Sequence, residues 1–318
     1  MTKMLKIQTK ILKSQSGQRL DYALVKLLTI YSRSLIKKWI VNKSVTVNGI
    51  IIDKPKQKML GKECIYINTS YEDQSYWVPE NIPLNIIYED KEILIINKPR
   101  NLVVHPGAGN LSGTLLNALL YYYPDIHNVP RAGIVSRLDK NTTGIMIIAK
   151  TITSYFYLIN AFKKGEIIRN YEAIVNGRIY SDGIINKPIG RHIFKRTRMA
   201  VNKSGKIAIT HYNIIETYQN HTRVKLQLQS GRTHQIRVHM SYIKHPVFGD
   251  PVYGSKILDA KGISKQYLTV IKNFNHQALH AVMLQIIHPI TYKVMQWNTT
   301  PPDDMIELIN ILKIHTIT

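Results

Sequence analysis

The stretch IVSRLDKNTTGIMIIA, residues 134–149, sets two apolar runs on either side of a polar octet, Arg137-Leu138-Asp139-Lys140-Asn141-Thr142-Thr143-Gly144. Short runs rich in β-branched residues and bounded by turn formers predict strands. Two strands would hold Asp139 on a short loop, a rigid mount suited to a catalytic group. Asp, Asn, Thr and Gly also favour plain turns, so the octet alone fits an ordinary connection equally well.

Outward from this stretch the pattern mixes strands and helices. Ile86-Ile87-Tyr88 and Ile93 to Ile96 flank Glu89-Asp90-Lys91, which predicts a hairpin ending at Lys98-Pro99. Helices are predicted over Thr114 to Tyr123, with Pro124 stopping it, and over Ser154 to Lys164, with Gly165 as C-cap. Val224, Leu226 and Leu228 alternate with Lys225, Gln227 and Gln229 as in a half-buried strand. Thr233 is placed to cap a helix carrying Ile236, Met240 and Ile243. After Pro301-Pro302, Asp303 or Asp304 would cap a last helix with Ile306, Ile309 and Leu312 inward. Strands with helices interspersed, and no repeating strand-helix-strand order, predict an α+β fold.

A different composition precedes this region. Residues 1–62 carry a net charge of +12 and residues 63–99 a net of −5, within a whole-chain net of +23. That step, with the turn formers between Ser70 and Pro83, predicts a linker there and domains of residues 1–75 and 76–318. The first piece reads helix, helix, hairpin. Leu20, Ala23, Leu24, Leu27 and Leu28 recur at helical spacing, and Ser32 or Ser34 would cap a second helix. In that helix Ile36, Trp39 and Ile40 would face inward and Arg33, Lys37 and Lys38 outward. Val45-Thr46-Val47 then runs into Asn48-Gly49, a strong hairpin signal. The three outward cations are candidate RNA contacts, because a basic face suits a polyanion. The chain has 30 Lys against 13 Arg and is rich in Ile, Asn and Tyr. Part of the charge therefore fits a drift toward AT-rich codons.

At 318 residues, with 44% hydrophobic and 20% charged, the chain is expected to be globular and to need no disulfide or metal to hold its core. Cys64 is the lone cysteine, so no internal disulfide forms and no paired-cysteine zinc site exists. No run approaches the 18 apolar residues of a membrane span, and MTKMLKIQTK lacks the apolar core of a secretory signal. The expectation is a cytoplasmic protein with no membrane contact.

Two further polar clusters interrupt the apolar pattern. Arg169-Asn170-Tyr171-Glu172-Ala173 opens a strand, where a tyrosine is more often core than catalytic. Gly231-Arg232-Thr233-His234-Gln235-Ile236-Arg237-Val238-His239 places two arginines and two histidines just past an amphipathic strand. It fits a binding rim and a solvated helix start equally.

In order and spacing the three clusters resemble the RluA-type pseudouridine synthases. The likeness runs through Asn97-Lys98-Pro99, Val104-His105-Pro106-Gly107 and His245-Pro246-x-x-Gly249-Asp250-Pro251-x-Tyr253-Gly254. The first piece resembles the alpha-L, or S4-type, RNA-binding module through Arg19-Leu20-Asp21, Ser32-Arg33-Ser34, Ile40 and Val45-x-Val47-Asn48-Gly49. The combination is similar to the members that act on large-subunit (23S) ribosomal RNA, in the helix 69 stem-loop. The resemblance implies a mixed, mainly antiparallel sheet in the catalytic domain. It implies isomerisation of uridine with no cofactor and no metal, and ribosomal RNA or a large-subunit precursor as partner, with no obligate protein partner. It implies that Asp139 is the catalytic carboxylate, with Arg232 as its basic partner and Tyr171 stacked on the uracil. Ile236 would be an apolar wall, and Arg137 the side chain that enters the RNA stack. Two positions depart from the family: Ser136 stands where a histidine is usual, and Asn141 where an aspartate is common. Rival readings are a same-family synthase for another ribosomal or transfer RNA site, a decayed RNA-binding assembly factor, and an unrelated hydrolase using Asp139.

Overall fold

The computed structural model describes residues 2–28, 31, 33–72, 77–107, 109–195, 197–254, 269–270 and 273–317. The chain divides into two compact units, Met1–Tyr76 and Trp77–Thr318.

In the first unit, helices α1 (Leu20–Leu27) and α2 (Arg33–Val41) pack on a four-stranded antiparallel sheet. Its strands are β1 (Thr2–Lys10), β2 (Val45–Val47), β3 (Ile50–Ile51) and β4 (Cys64–Glu72), in the order β1-β4-β2-β3. Leu20, Ala23 and Leu24 on α1 meet Ile36, Trp39 and Ile40 on α2 and Val45, Ile65 and Ile67 from the sheet. Asn48 and Gly49 both adopt positive φ, the backbone a two-residue hairpin needs. The Ser32 cap lies outside the described residues. Strand β4 continues to Glu72, into the stretch expected to be linker. Arg33 and Lys37 are exposed as expected, but they also hold a buried carboxylate. Asp21 is fully buried, takes two bonds of 2.9 Å from Arg19, and lies 3.0 Å from Arg33 and 3.9 Å from Lys37. Burial pushes its pKa up, and the Arg19 and Arg33 bonds outweigh this to leave it lowered.

The second unit is built on a nine-stranded sheet. Its strands are β5 (Ile86–Glu89), β6 (Ile93–Lys98), β7 (Thr143–Ala149), β8 (Ile168–Asn176), β9 (Gly183–Asn186), β12 (Ile209–Thr217), β13 (His221–Leu228), β14 (Leu279–Ile287) and β15 (Val294–Asn298). The order is β5-β6-β7-β14-β8-β13-β12-β9, with β15 also on β14. The β7–β14 pair is parallel and the other pairs of this sheet are antiparallel. A separate hairpin joins β10 (Ile189–Arg191) to β11 (Met199–Val201). The helices are α3 (Leu115–Tyr122), α4 (Ile152–Lys164), α5 (Gln235–Tyr242) and α6 (Asp303–Ile317). Every residue of β7 is buried, which is why its sequence is an unbroken apolar run.

Two helix expectations need correction. The residue capping α5 is His234, at φ 55°, and not Thr233. On α6, Met305, Leu308, Ile309 and Leu312 are buried, whereas Ile306 is 37% exposed. An i, i+3 series started one residue late follows the wrong edge of the apolar stripe.

Candidate active site

The polar octet opens strand β7. Thr142 N–H returns to the Asp139 carbonyl at 3.1 Å, closing a tight turn just before the strand. Gly144 sits in this strand at φ +112°, and a Cβ there would run into the Ala281 backbone of β14. Only glycine permits that approach, and with it the parallel β7–β14 contact behind the Asp139 loop. Lys98, fully buried at the end of β6, donates to the carbonyls of Pro99, Leu102 and Lys140 at 2.7, 3.0 and 3.1 Å. It therefore ties the loop to the neighbouring strand end. Burial lowers its pKa to about 7 against the pull of Asp139.

Asp139 faces a cleft of about 490 Å³ lined by Arg137, Tyr171, Arg232, His234, Ile236 and Arg237, among others. Among the described residues, Asp139 is the sole carboxylate in that lining. Tyr171 comes from β8, paired between Leu226 of β13 and Ala281 of β14, and is 6% exposed. Burial raises its pKa, so it remains a neutral phenol. Arg169, two residues earlier, shares the cleft-facing side of β8, as a strand period of two requires. Its guanidinium lies 5.0 Å from the Phe162 ring centroid. Ile236 is 4% exposed on α5, and Arg137 stands exposed at the cleft.

The partner of Asp139 is Arg237, not Arg232. Arg237 Nη1 donates to Asp139 Oδ2 at 2.8 Å, and its other edge grips Asp250 through Nε at 2.6 Å and Nη2 at 2.9 Å. Asp250 is fully buried at its carboxylate and also accepts the Val252 and Tyr253 N–H groups at 2.8 and 3.0 Å. Burial raises the Asp250 pKa, and the Arg237 and backbone bonds overcome it, so the carboxyl ends lowered. A guanidinium locked by two bonds on one side can present its remaining N–H in a fixed direction. Arg232 lies before the helix, where its Nε donates to the Ile207 carbonyl at 3.0 Å. The sequence held a signal for this assignment. Arg237 stands beside apolar Ile236 and Val238 inside the helix, and Asp250 is the one acid between residues 231 and 254.

His234 completes the cluster. Its Nε2 lies 3.8 Å from Asp139 Oδ1, and its Nδ1 lies 2.8 Å from the Tyr253 hydroxyl, which accepts the Met199 N–H at 2.9 Å. Burial lowers the His234 pKa despite the nearby carboxylate, with Arg237 and Arg137 adding to the lowering. A Tyr253 hydroxyl that donates to Nδ1 would leave the proton of the neutral ring on Nε2, toward Asp139. His239 turns elsewhere, to Thr210 Oγ1 and the Lys187 carbonyl, each at 2.9 Å. Ser136 lines the cleft, half-buried. Beside it, Arg131, Ala132 and Gly133 all take positive φ, and Arg131 Nε donates to His105 Nε2 at 3.2 Å. Arg237, Asp250, His234, Tyr253 and Lys98 were not singled out from sequence, although each falls within a motif that carried the resemblance.

One carboxylate, aimed by a locked guanidinium beside a buried tyrosine in an otherwise basic cleft, suits chemistry at an electron-poor carbon of a polyanionic substrate. Comparison with known proteins decides the family. Residues 92–242 match the RNA pseudouridylate synthase family and residues 18–62 match the S4 domain. The ribosomal large subunit pseudouridine synthase D of Yersinia pestis is 52% identical over 99% of this chain and 97% of its own. That of Escherichia coli K12 is 50% identical over 98% and 96%. The chain belongs to the RluD-type RNA pseudouridine synthases. This synthase is an enzyme of the isomerase class, with an S4 domain ahead of a mixed, mostly antiparallel catalytic sheet. The human RNA pseudouridylate synthase domain containing 1 structure shares its fold at a TM-score of 0.54. That match has 25% identity and covers 70% of the synthase and 85% of the human chain. Among the described residues no helix is long and apolar enough to cross a membrane.

Proposed function

We propose that the enzyme converts specific uridines of large-subunit ribosomal RNA to pseudouridine, with Asp139 acting at C1′ of the target. The observation that carries this is the lone cleft carboxylate, held by Arg237 and facing the same cleft as Tyr171. The C1′–N1 bond breaks, the uracil turns, and a C1′–C5 bond forms. The proton lost from C5 is balanced by one gained at N1, so no atoms or electrons enter or leave. A carboxylate beside C1′ can trap or stabilise the cationic sugar as a glycosidase carboxylate does, or take a proton from it. Arg237 fixes its direction. Tyr171 provides a flat, neutral, buried face for the uracil, and Ile236 an apolar wall. The target base must leave its stack to reach Asp139, and Arg137, exposed at the cleft, is the side chain suited to fill the gap. Loops of RNA are the cheapest targets because their bases are partly unstacked.

The ribosomal target is supported by relatives of about 50% identity along nearly the whole chain, named for the large ribosomal subunit. We infer action in the cytoplasm on the large-subunit RNA or its precursor. The S4 domain fits a clamp on that RNA. Lys38 is exposed, and Arg19, Arg33 and Lys37 together exceed the single charge of Asp21, so this face stays positive. The test is to incubate the purified protein with unmodified large-subunit ribosomal RNA and with transfer RNA, and to map pseudouridines in both. New pseudouridine in the ribosomal RNA alone is expected. Modification confined to transfer RNA would refute the target, and none in either would favour the decayed assembly factor.

A further inference from the structure

The hairpin β10–β11 carries a feature that the chemistry at Asp139 does not use. At its tip Phe194 is 87% exposed and its neighbour Ile193 is 75% exposed. The turn beneath them is held by its own backbone. His192 N–H donates to the Arg198 carbonyl at 2.9 Å and Arg198 N–H to the Lys195 carbonyl at 2.8 Å. The N–H groups of Phe194 and Lys195 both donate to His192 Nδ1 at 3.2 Å. These bonds leave two apolar side chains on display that no core covers.

The root of the hairpin is fixed to the wall of the active site. Ile189, Ala208 and Val238 bury together, with Met199, Val201 and Tyr253 packed on them. Met199 N–H is bonded to the Tyr253 hydroxyl, which also meets His234. The root of the hairpin is therefore anchored in the catalytic unit, and Ile193 and Phe194 stand beyond it. The segment that carries them is of one sign: residues 183–215 contain no Asp or Glu, and Arg191, Lys195 and Arg198 flank the tip in sequence.

We propose that Ile193 and Phe194 form a stacking finger that grips an unpaired base of the RNA substrate outside the active site, while Arg191, Lys195 and Arg198 meet the adjoining phosphates. The inference rests on RNA being the substrate. Protein interfaces pair charges of both signs across a polar rim, whereas this apolar pair is flanked in sequence by cations with no acid among them. Single-stranded nucleic acid offers the complement, flat apolar faces strung along a line of negative charge. The finger would add a contact by which the enzyme recognises a loop and not a duplex.

The experiment uses the full chain and an unmodified large-subunit ribosomal RNA transcript, with binding measured across a salt series. Phe194→Ala is expected to weaken binding about tenfold, since one base–aromatic stack is typically worth ~1–3 kcal/mol, and to leave the salt slope unchanged. Phe194→Tyr should restore affinity and Phe194→Leu should not. Replacing Lys195 and Arg198 by Ala should flatten the slope by roughly 0.7 per lost contact. Unchanged affinity in Phe194→Ala overturns the finger, as does rescue by Leu equal to that by Tyr. Failure of the wild type to form pseudouridine in this RNA would refute the proposed activity, while the binding comparison still reads the finger.

Discussion

At the scale of residues, the site turns on which of two arginines reaches the aspartate. Arg232 and Arg237 sit five apart at the start of one helix, and spacing cannot say which faces inward until the helix start is known. That start is His234 in a left-handed conformation, which no periodicity announces. Asp139 and Tyr171 were named through the family resemblance of the polar clusters they stand in, whereas Arg237, in the third of those clusters, lay between apolar Ile236 and Val238 and was passed over for Arg232. The geometry predicts a split in kinetics. Arg237→Lys keeps a cation but loses the planar fork that spans Asp250 and Asp139 together. It should slow single-turnover pseudouridine formation about 100-fold, the equivalent of roughly 3 kcal/mol in the barrier. Arg232→Ala should stay within about tenfold of wild type. The reverse order of effects would restore Arg232 as the partner. Arg237→Met is a poorer probe, because it strands the buried Asp250 carboxylate at a cost of roughly 3–5 kcal/mol in folding.

Among elements, helices with local caps were readable and long-range strand pairings were not. Helix α4 ends at Gly165, left-handed at φ +77°, where its basic last turn and glycine place the stop. Strand β1 instead exists through its register with β4, from Thr2 opposite Glu72 to Lys10 opposite Cys64. From Leu5 to Lys10 its side chains are intermediate or exposed, so its own sequence carries no apolar run to mark a strand. The same holds for the β7–β14 crossing, whose parallel register of Thr143 with His280 joins segments far apart in sequence. Gly144 is the residue that permits it, and Gly144→Ala should separate the two strands and shift the Asp139 loop. A stability loss of roughly 3 kcal/mol or more is expected in urea unfolding, together with a marked loss of activity. A variant as stable and active as wild type would show that the close approach is dispensable.

The whole molecule carries histidines that fold as neutral rings. Burial lowers His221 and His280 to about 4, against 6.5 for the free side chain. His280 lies between the Thr143 and Thr299 hydroxyls, 2.7 Å from each, and among the described residues no carboxylate pairs with it. Between pH 6.5 and 4 the unfolded chain binds more protons at these rings, so stability falls as pH drops through that window. Each ring should cost about 2 kcal/mol at pH 5 relative to pH 7.5. Urea unfolding at the two pH values checks this, with His280→Gln expected to remove its share. An unchanged free energy would mean that these rings are solvated or paired. The central claim, that this chain isomerises uridine through Asp139, is tested most directly by the full-length protein and its Asp139→Asn variant. Both would be given the same unmodified large-subunit ribosomal RNA under single-turnover conditions, with binding measured in parallel. Wild type is expected to form pseudouridine, and the variant to fold and bind RNA as well but form none; activity in Asp139→Asn within a few-fold of wild type would contradict a catalytic role for Asp139.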